Sequence, residues 1–230
     1  MNRELTNYSK DEVRVNTFVA KVFSWMFLAL LTTGLLSYLV ASSETLLWTI
    51  FSNNVLFFGL LIGEFALVIF ISRAINKISP LVATIAFFLY SAINGLTLSV
   101  IFMVYTTESI ASTFFITALT FGIMSLYGLY TKKDLTSLGS LCFMGLIGIV
   151  IASIVNLFLH NEMVYWVTTY IGILVFVGLT AYDTQKIKRI GMANADEGTM
   201  EKAAIKGALS LYLDFINLFL HLLRIFGRRK

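Results

Sequence analysis

The chain has 230 residues, of which 58% are hydrophobic and 13% charged, against the roughly 25% charged usual in soluble domains. With a mean hydropathy of +0.84, it holds more apolar side chain than a water-soluble core absorbs, so lipid is part of its solvent. The formal net charge of +4 is small and lies in short loops and at the C-terminus, which argues against a nucleic-acid surface.

Residues 1–17 read as a polar tail, MNRELTNYSKDEVRVNT. The apolar run after them is too long for a signal-peptide core and has no small-residue cleavage site, so it is expected to stay as a helix. An apolar stretch of ~20 residues crosses a bilayer as a helix. Seven such helices are expected, over 18–41, 55–72, 80–104, 109–130, 139–159, 163–183 and 204–226. The fold class is therefore an all-α polytopic membrane protein, with one transmembrane domain over 18–226 and a basic tail at 227–230. Ser79-Pro80 is an N-cap followed by proline at the first helical position. Gly145, Gly148 and Ala152 have the small-residue spacing that lets membrane helices approach, and ordinary packing is the preferred reading. The segment 190–203 reads as the one sizeable polar loop. No internal repeat or low-complexity tract stands out.

Loop charges orient the spans. Arg3, Lys10 and Arg14 precede the first, Arg73 and Lys77 follow the second, and Lys132 and Lys133 follow the fourth. Lys186, Lys188, Arg189 and Lys202 follow the sixth. The alternate loops carry Glu44, Glu108 and Glu162 and no cation. This pattern places the N-terminus in the cytoplasm. Arg224, Arg228, Arg229 and Lys230 break it, because a seventh full span puts them outside. Either the last helix spans against the rule or it dips in and returns, and its length favours spanning.

Glu64, Asp183 and Asp214 fall in or at the edge of spans. An aspartate at a helix centre costs roughly 2.5–3.5 kcal/mol, so such residues face the bundle interior or water, pair, or take up a proton. Around Asp214, the residues Lys206, Ser210, Asn217, His221 and Arg224 fall at steps of three and four and form one polar stripe. Such a stripe suits a central helix lining a hydrophilic path. A helix lying in the membrane surface is the alternative, but the apolar part is too broad and long for it. Asp183 ends the sixth span, with Arg73 at the same boundary as a candidate partner. Glu64 and Arg73 point nearly opposite ways on one helix, so Glu64 needs another partner, a proton or water. If Lys206 marks the interface, Asp214 lies ~12 Å deep and Asp183 ~5 Å deep, and pairing requires the last helix to start deeper or to tilt.

Cys142, the only cysteine, forms no intrachain disulfide and has no basic neighbour to make it a nucleophile. Zinc spacing, a phosphate-binding glycine loop, an EF-hand and a Ser/His/Asp set are all missing from the sequence. No cofactor and no catalytic residue are expected.

GLTAYDTQKIKRI and ALSLYLDFINLFLHLLRIFG resemble the two signature stretches of the Bax inhibitor-1 family, in its bacterial branch. SAINGLTLS and LYGLYTKKDLTSLGSLCFMGLIGIVIASIVNLF resemble its middle helices. The resemblance implies seven helices with the last enclosed by the other six, in a bacterial cytoplasmic membrane. It further implies a pH-sensitive calcium leak, with Asp183 and Asp214 as the gating pair and Arg73 in contact with the first. Glu64, Ser210, Asn217 and His221 would line the ion path. Calcium would pass transiently near Asp183, Asp214 and Glu64, with no dedicated metal site. Two carboxylates in one site cannot both ionise cheaply, so one proton is shared. Losing it adds repulsion and gaining it favours contact.

Three rivals share these residues. A non-conducting regulator would bind other membrane proteins, such as a quality-control protease. A proton-coupled cation transporter would use the acid pair for coupling. An intramembrane aspartyl protease also carries a Tyr-Asp pair, as in Tyr182-Asp183. It needs Gly-x-Gly-Asp where this chain has Leu211-Tyr212-Leu213-Asp214, and Pro-Ala-Leu where Pro80 is followed by Leu81.

Overall fold

The computed structural model describes residues 12–193 and 195–230 in full, and residues 2–11 as helical backbone. Nine helices follow in order among the described residues: α1 (Asn2–Ala41), α2 (Glu44–Ser52), α3 (Asn54–Ala74), α4 (Pro80–Leu98), α5 (Ile101–Val104), α6 (Thr107–Tyr130), α7 (Thr136–Leu159), α8 (Glu162–Gly191) and α9 (Glu197–Phe226). Seven spans are long and apolar enough to cross a membrane: α1 from Glu12, α3, α4 with α5, and α6 to α9. The expected all-α polytopic class and the seven spans therefore hold. The tail charges Arg3 and Lys10 lie outside the residues whose side chains are described. The nine-residue α2 was not expected. Ser43 caps it and Asn53 caps α3 directly after it, so a turn between two spans is itself helical.

Local chemistry sets most of the boundaries. Ser79 Oγ accepts from the Val82 amide at 3.3 Å, with Pro80 in the first turn of α4, as its sequence predicts. Thr106 caps α6, and Asn161 Oδ1 accepts from the Met163 and Val164 amides to cap α8. The polar loop expected over 190–203 is mostly helix. α8 runs on to Gly191, and α9 begins at Glu197 because Asp196 accepts from the Thr199 amide at 2.9 Å and from its hydroxyl at 2.6 Å. Helix caps of this kind satisfy amides that the first turn leaves unpaired.

The chain sorts into two compact units. The first comprises Met1–Tyr105, Ile187–Tyr212 and Lys230. In it α1 packs along α4, and α4 packs on α3. Buried hydroxyls join α1 to the α4 backbone: Thr33 donates to the Ser91 carbonyl at 2.8 Å and Ser37 to that of Gly95 at 2.7 Å. Gly95 permits this approach, since a Cβ there would lie 2.9 Å from the Thr33 carbonyl oxygen. Lys21 pairs with Glu201 at 3.0 Å in a half-exposed salt bridge.

The second unit comprises Thr106–Lys186 and Leu213–Arg229. Gln185 fastens α8 to the turn after α6, donating to the Lys133 carbonyl and accepting from the Leu135 amide. At the other end of α6, the Thr106 amide donates to the Arg228 carbonyl at 2.9 Å. α9 therefore ends at the opposite end of α6 from the turn that holds Gln185. Its apolar window is 61% buried, against 6% to 50% for the other six spans.

Asp196 is fully exposed, and its hydrogen bonds from Thr199 hold its carboxyl below the ordinary aspartate value. A carboxyl so depressed stabilises the fold above its unfolded-state value, and that contribution disappears as pH falls through the folded-state value. Amide hydrogen exchange in the first turn of α9 is expected to accelerate in Asp196→Ala at neutral pH. The wild type should show the same acceleration only under acid conditions.

Candidate functional site

α9 carries Asp214 into the second unit with 4% of its surface exposed. Its Oδ2 is buried and has no hydrogen-bond partner among the described residues. Asp183 of α8 is half-buried, and its charge acts on the Asp214 carboxyl. The helix register explains the proximity. A Cβ on Gly172 of α8 would collide with the His221 ring of α9, which sets these two residues side by side. Seven residues back along α9 from His221 is Asp214, and seven on along α8 from Gly172 is Leu179. Asp183 is therefore four residues, or ~6 Å, from the level of Asp214. The register therefore sets Asp183 and Asp214 about one helical turn apart along the two helices. Cys142 of α7 completes the surroundings. It is buried and also within reach of the Asp214 charge.

Glycines set the walls around Asp183. A Cβ on Gly128 of α6 would run into the Ala181 carbonyl, and one on Gly139 of α7 would lie 2.5 Å from the Tyr182 ring. Two helices thus abut α8 at the residues directly before Asp183. A Cβ on Gly178 would meet Cys142 Sγ at 2.5 Å. Gly145 approaches Val175 in the same way, whereas Gly148 has nothing near it and lines an apolar groove of about 430 Å³ with Ala152. The small-residue spacing on α7 therefore makes one close approach, and the tighter ones lie toward Asp183.

The interior of this unit holds more polar groups. Thr113, Thr117 and Ser125 of α6 are buried at intervals of four and eight residues, on one face of that helix. The hydroxyls of Thr113 and Ser125 have no partner among the described residues, nor does Nδ1 of His221. The His221 ring lies against Phe176, centroids 5.7 Å apart. Asn217 is half-buried and donates to the Leu213 carbonyl at 2.8 Å. The expected polar stripe is therefore buried at Asp214 and His221 and reaches the surface at its ends, Lys206 being exposed.

In the first unit Glu64 has the partners that its sequence required. Its Oε1 accepts from the Thr97 hydroxyl at 2.6 Å, and the Asn94 side chain also bonds to it. Asn94 Oδ1 accepts from the Tyr212 hydroxyl at 2.9 Å, which meets the Thr33 hydroxyl at 2.6 Å. Four side chains thus link Glu64 to α1 and α9. Ser210 is half-buried, and Arg73 is exposed in the last turn of α3. Asn94, Thr97 and Tyr212 were not singled out from sequence. Their signal was available: Asn94 and Thr97 are polar residues one turn apart within SAINGLTLS. Among the described residues no three His, Cys, Asp or Glu side chains gather as a metal cage.

Replacing Gly128 by alanine forces α6 and α8 apart beside Asp183. Overpacking of this kind costs about 1–3 kcal/mol. Gly128→Ala is expected to lower the thermal unfolding midpoint in detergent, while Gly148→Ala, with open space around it, leaves that midpoint unchanged.

A family model described as "Inhibitor of apoptosis-promoting Bax1" matches residues 15–230. The chain is 53% identical over 218 residues to the inner membrane protein YbhL of Escherichia coli K12, covering 94% of this chain and 93% of the relative. It is 45% identical over 228 residues to an uncharacterized protein of Borreliella burgdorferi, covering 99% and 98% of the two chains. An uncharacterized protein of Rickettsia prowazekii is 40% identical over 233 residues, with the same coverage.

Proposed function

The chain belongs to the Bax inhibitor-1 family of membrane proteins, and on that premise we propose that it is a calcium leak channel of the bacterial inner membrane, gated by proton exchange at Asp183 and Asp214. The observation that carries this reading is the placement of Asp214. It is a nearly inaccessible carboxyl with an unpartnered oxygen, and the charge of Asp183 acts on it. Like charges so close in a low-dielectric interior do not both persist, and the pair titrates as one system. A change in its charge alters the force between α8 and α9. Packed helices respond to such a change by switching between discrete arrangements.

Calcium is the cargo in this reading, and oxygen is its preferred ligand. Carboxylates at Asp183 and Asp214 attract it, and the buried hydroxyls of Thr113 and Ser125 offer further oxygen. A pair of carboxylates is too few ligands to hold calcium tightly, which suits passage rather than storage. The loop charges support a cytoplasmic N-terminus in this reading. The chemistry is transport without a covalent step, so no residue is assigned as catalytic.

The test is calcium entry into liposomes containing the purified protein, measured from about pH 5.5 to about pH 8.5 so that a shared proton on a coupled carboxyl pair is sampled on both sides of neutrality. Wild type is expected to leak calcium in a pH-dependent way, and Asp183→Asn or Asp214→Asn to flatten that dependence. Absence of flux from folded protein at every pH would overturn the channel and leave a non-conducting regulator.

A further inference from the structure

The second unit has a cleft that the gating pair does not use. It measures about 630 Å³ and lies where α7 ends, α8 begins and the C-terminal tail leaves α9. Arg224, Arg229, Asn156, Asn161, Tyr165 and Trp166 line it. Its position at the ends of three spans puts it at the level of lipid headgroups, where tryptophan and tyrosine collect. From this cleft we propose a binding site for a phosphate-bearing anion, held between the guanidinium groups of Arg224 and Arg229.

The lining is rich in donors. Neither arginine pairs with a carboxylate among the described residues. Arg224 is set in place over the Tyr165 ring, 5.1 Å from its centroid. Arg229 follows a residue whose carbonyl is fastened by the Thr106 amide, so the tail is anchored at the cleft. Asn156 Oδ1 accepts from the Asn161 amide, and Asn161 Oδ1 from two amides of α8. With their oxygens so engaged, both asparagines keep their amino groups to offer as further donors. The N-terminus of α8 is closed by Asn161, so recognition rests on side chains. Glu162 is the single carboxylate in the wall, and it is exposed.

Two guanidinium groups flanking amide donors match the oxygens of a phosphate, which accept forked hydrogen bonds from arginine. The volume fits a headgroup-sized ligand. The same site accounts for the misfit in the loop charges, because the basic residues at this end of α9 have a ligand to meet. A phospholipid headgroup and a free phosphate present the same chemistry, and the experiment separates them.

The full chain, with Trp25→Phe and Trp48→Phe so that Trp166 alone reports, is purified lipid-free in a neutral detergent. It is titrated with inorganic phosphate against chloride of equal ionic strength, and separately with short-chain phosphatidylglycerol. A saturable change in Trp166 emission is expected with at least one probe. Arg224→Gln with Arg229→Gln should weaken it by ~10-fold or more, as loss of charge-assisted hydrogen bonds implies. The corresponding lysine variants should retain part of it. Saturation by phosphate identifies a soluble source, and saturation by the lipid alone identifies the headgroup. If the double variant fails to fold, Arg229→Gln alone carries the test, since that residue is exposed. No saturable response to either probe, or an equal response in wild type and the glutamine variants, would overturn the site.

Discussion

The structure turns on the cost of one carboxyl. Asp214 sits on the most buried span with 4% of its surface exposed, and an aspartate at the centre of a membrane helix costs roughly 2.5–3.5 kcal/mol. In lipid that cost is not offset by the hydrophobic effect, because acyl chains are as apolar as the leucines of α9. Close packing has to supply the stability. The contacts at Gly128, Gly139, Gly172 and Gly178 bring α6, α7 and α9 against α8 around the acid pair. Phe114 and Phe121 of α6 add edge-on contacts to Phe215 of α9. Close helix approaches of the second unit therefore flank the acid pair on α8.

The two units handle buried polarity differently. In the first, Glu64, Thr97, Asn94, Tyr212 and Thr33 form one connected hydrogen-bond network. A satisfied network of this kind holds a single arrangement. In the second, Asp214, Thr113, Ser125 and His221 each keep a buried polar atom without a partner among the described residues. Unsatisfied groups of this kind are costly to bury. Tyr212 and Asp214 are two residues apart on α9 and so point ~200° apart.

Sequence carried the spans, the Ser79-Pro80 start and the stripe of α9, because each rests on local periodicity or a local cap. It missed the reach of α8 beyond Asp183. The run Lys186 to Ile190 carries three cations and reads as a loop by composition, yet Gln185 fastens it and the helix continues. The cap at Asp196 was equally hidden within a polar stretch. The glycine contacts join residues far apart in the chain, and neither Gly128 in LYGLY nor Gly139 in TSLGS differs locally from a lipid-facing glycine. Asn94 and Thr97 left a visible mark as polar residues in an apolar helix, but their link to Glu64 depends on how α3 lies along α4.

The register of α8 and α9 also bears on the basic tail. The register that sets Asp214 level with Leu179 carries the end of α9 on to the start of α6, where Arg228 meets Thr106. Loop charge alone opposes this arrangement, but its influence is weakest on late segments. The tail is held there by backbone bonds, from the Thr106 amide to Arg228 and from the Lys230 amide to Val104. Lys230 Nζ also donates to the Phe102 carbonyl at 2.7 Å. The level of Asp214 on α8 and the anchored basic tail thus both follow from one register between α8 and α9.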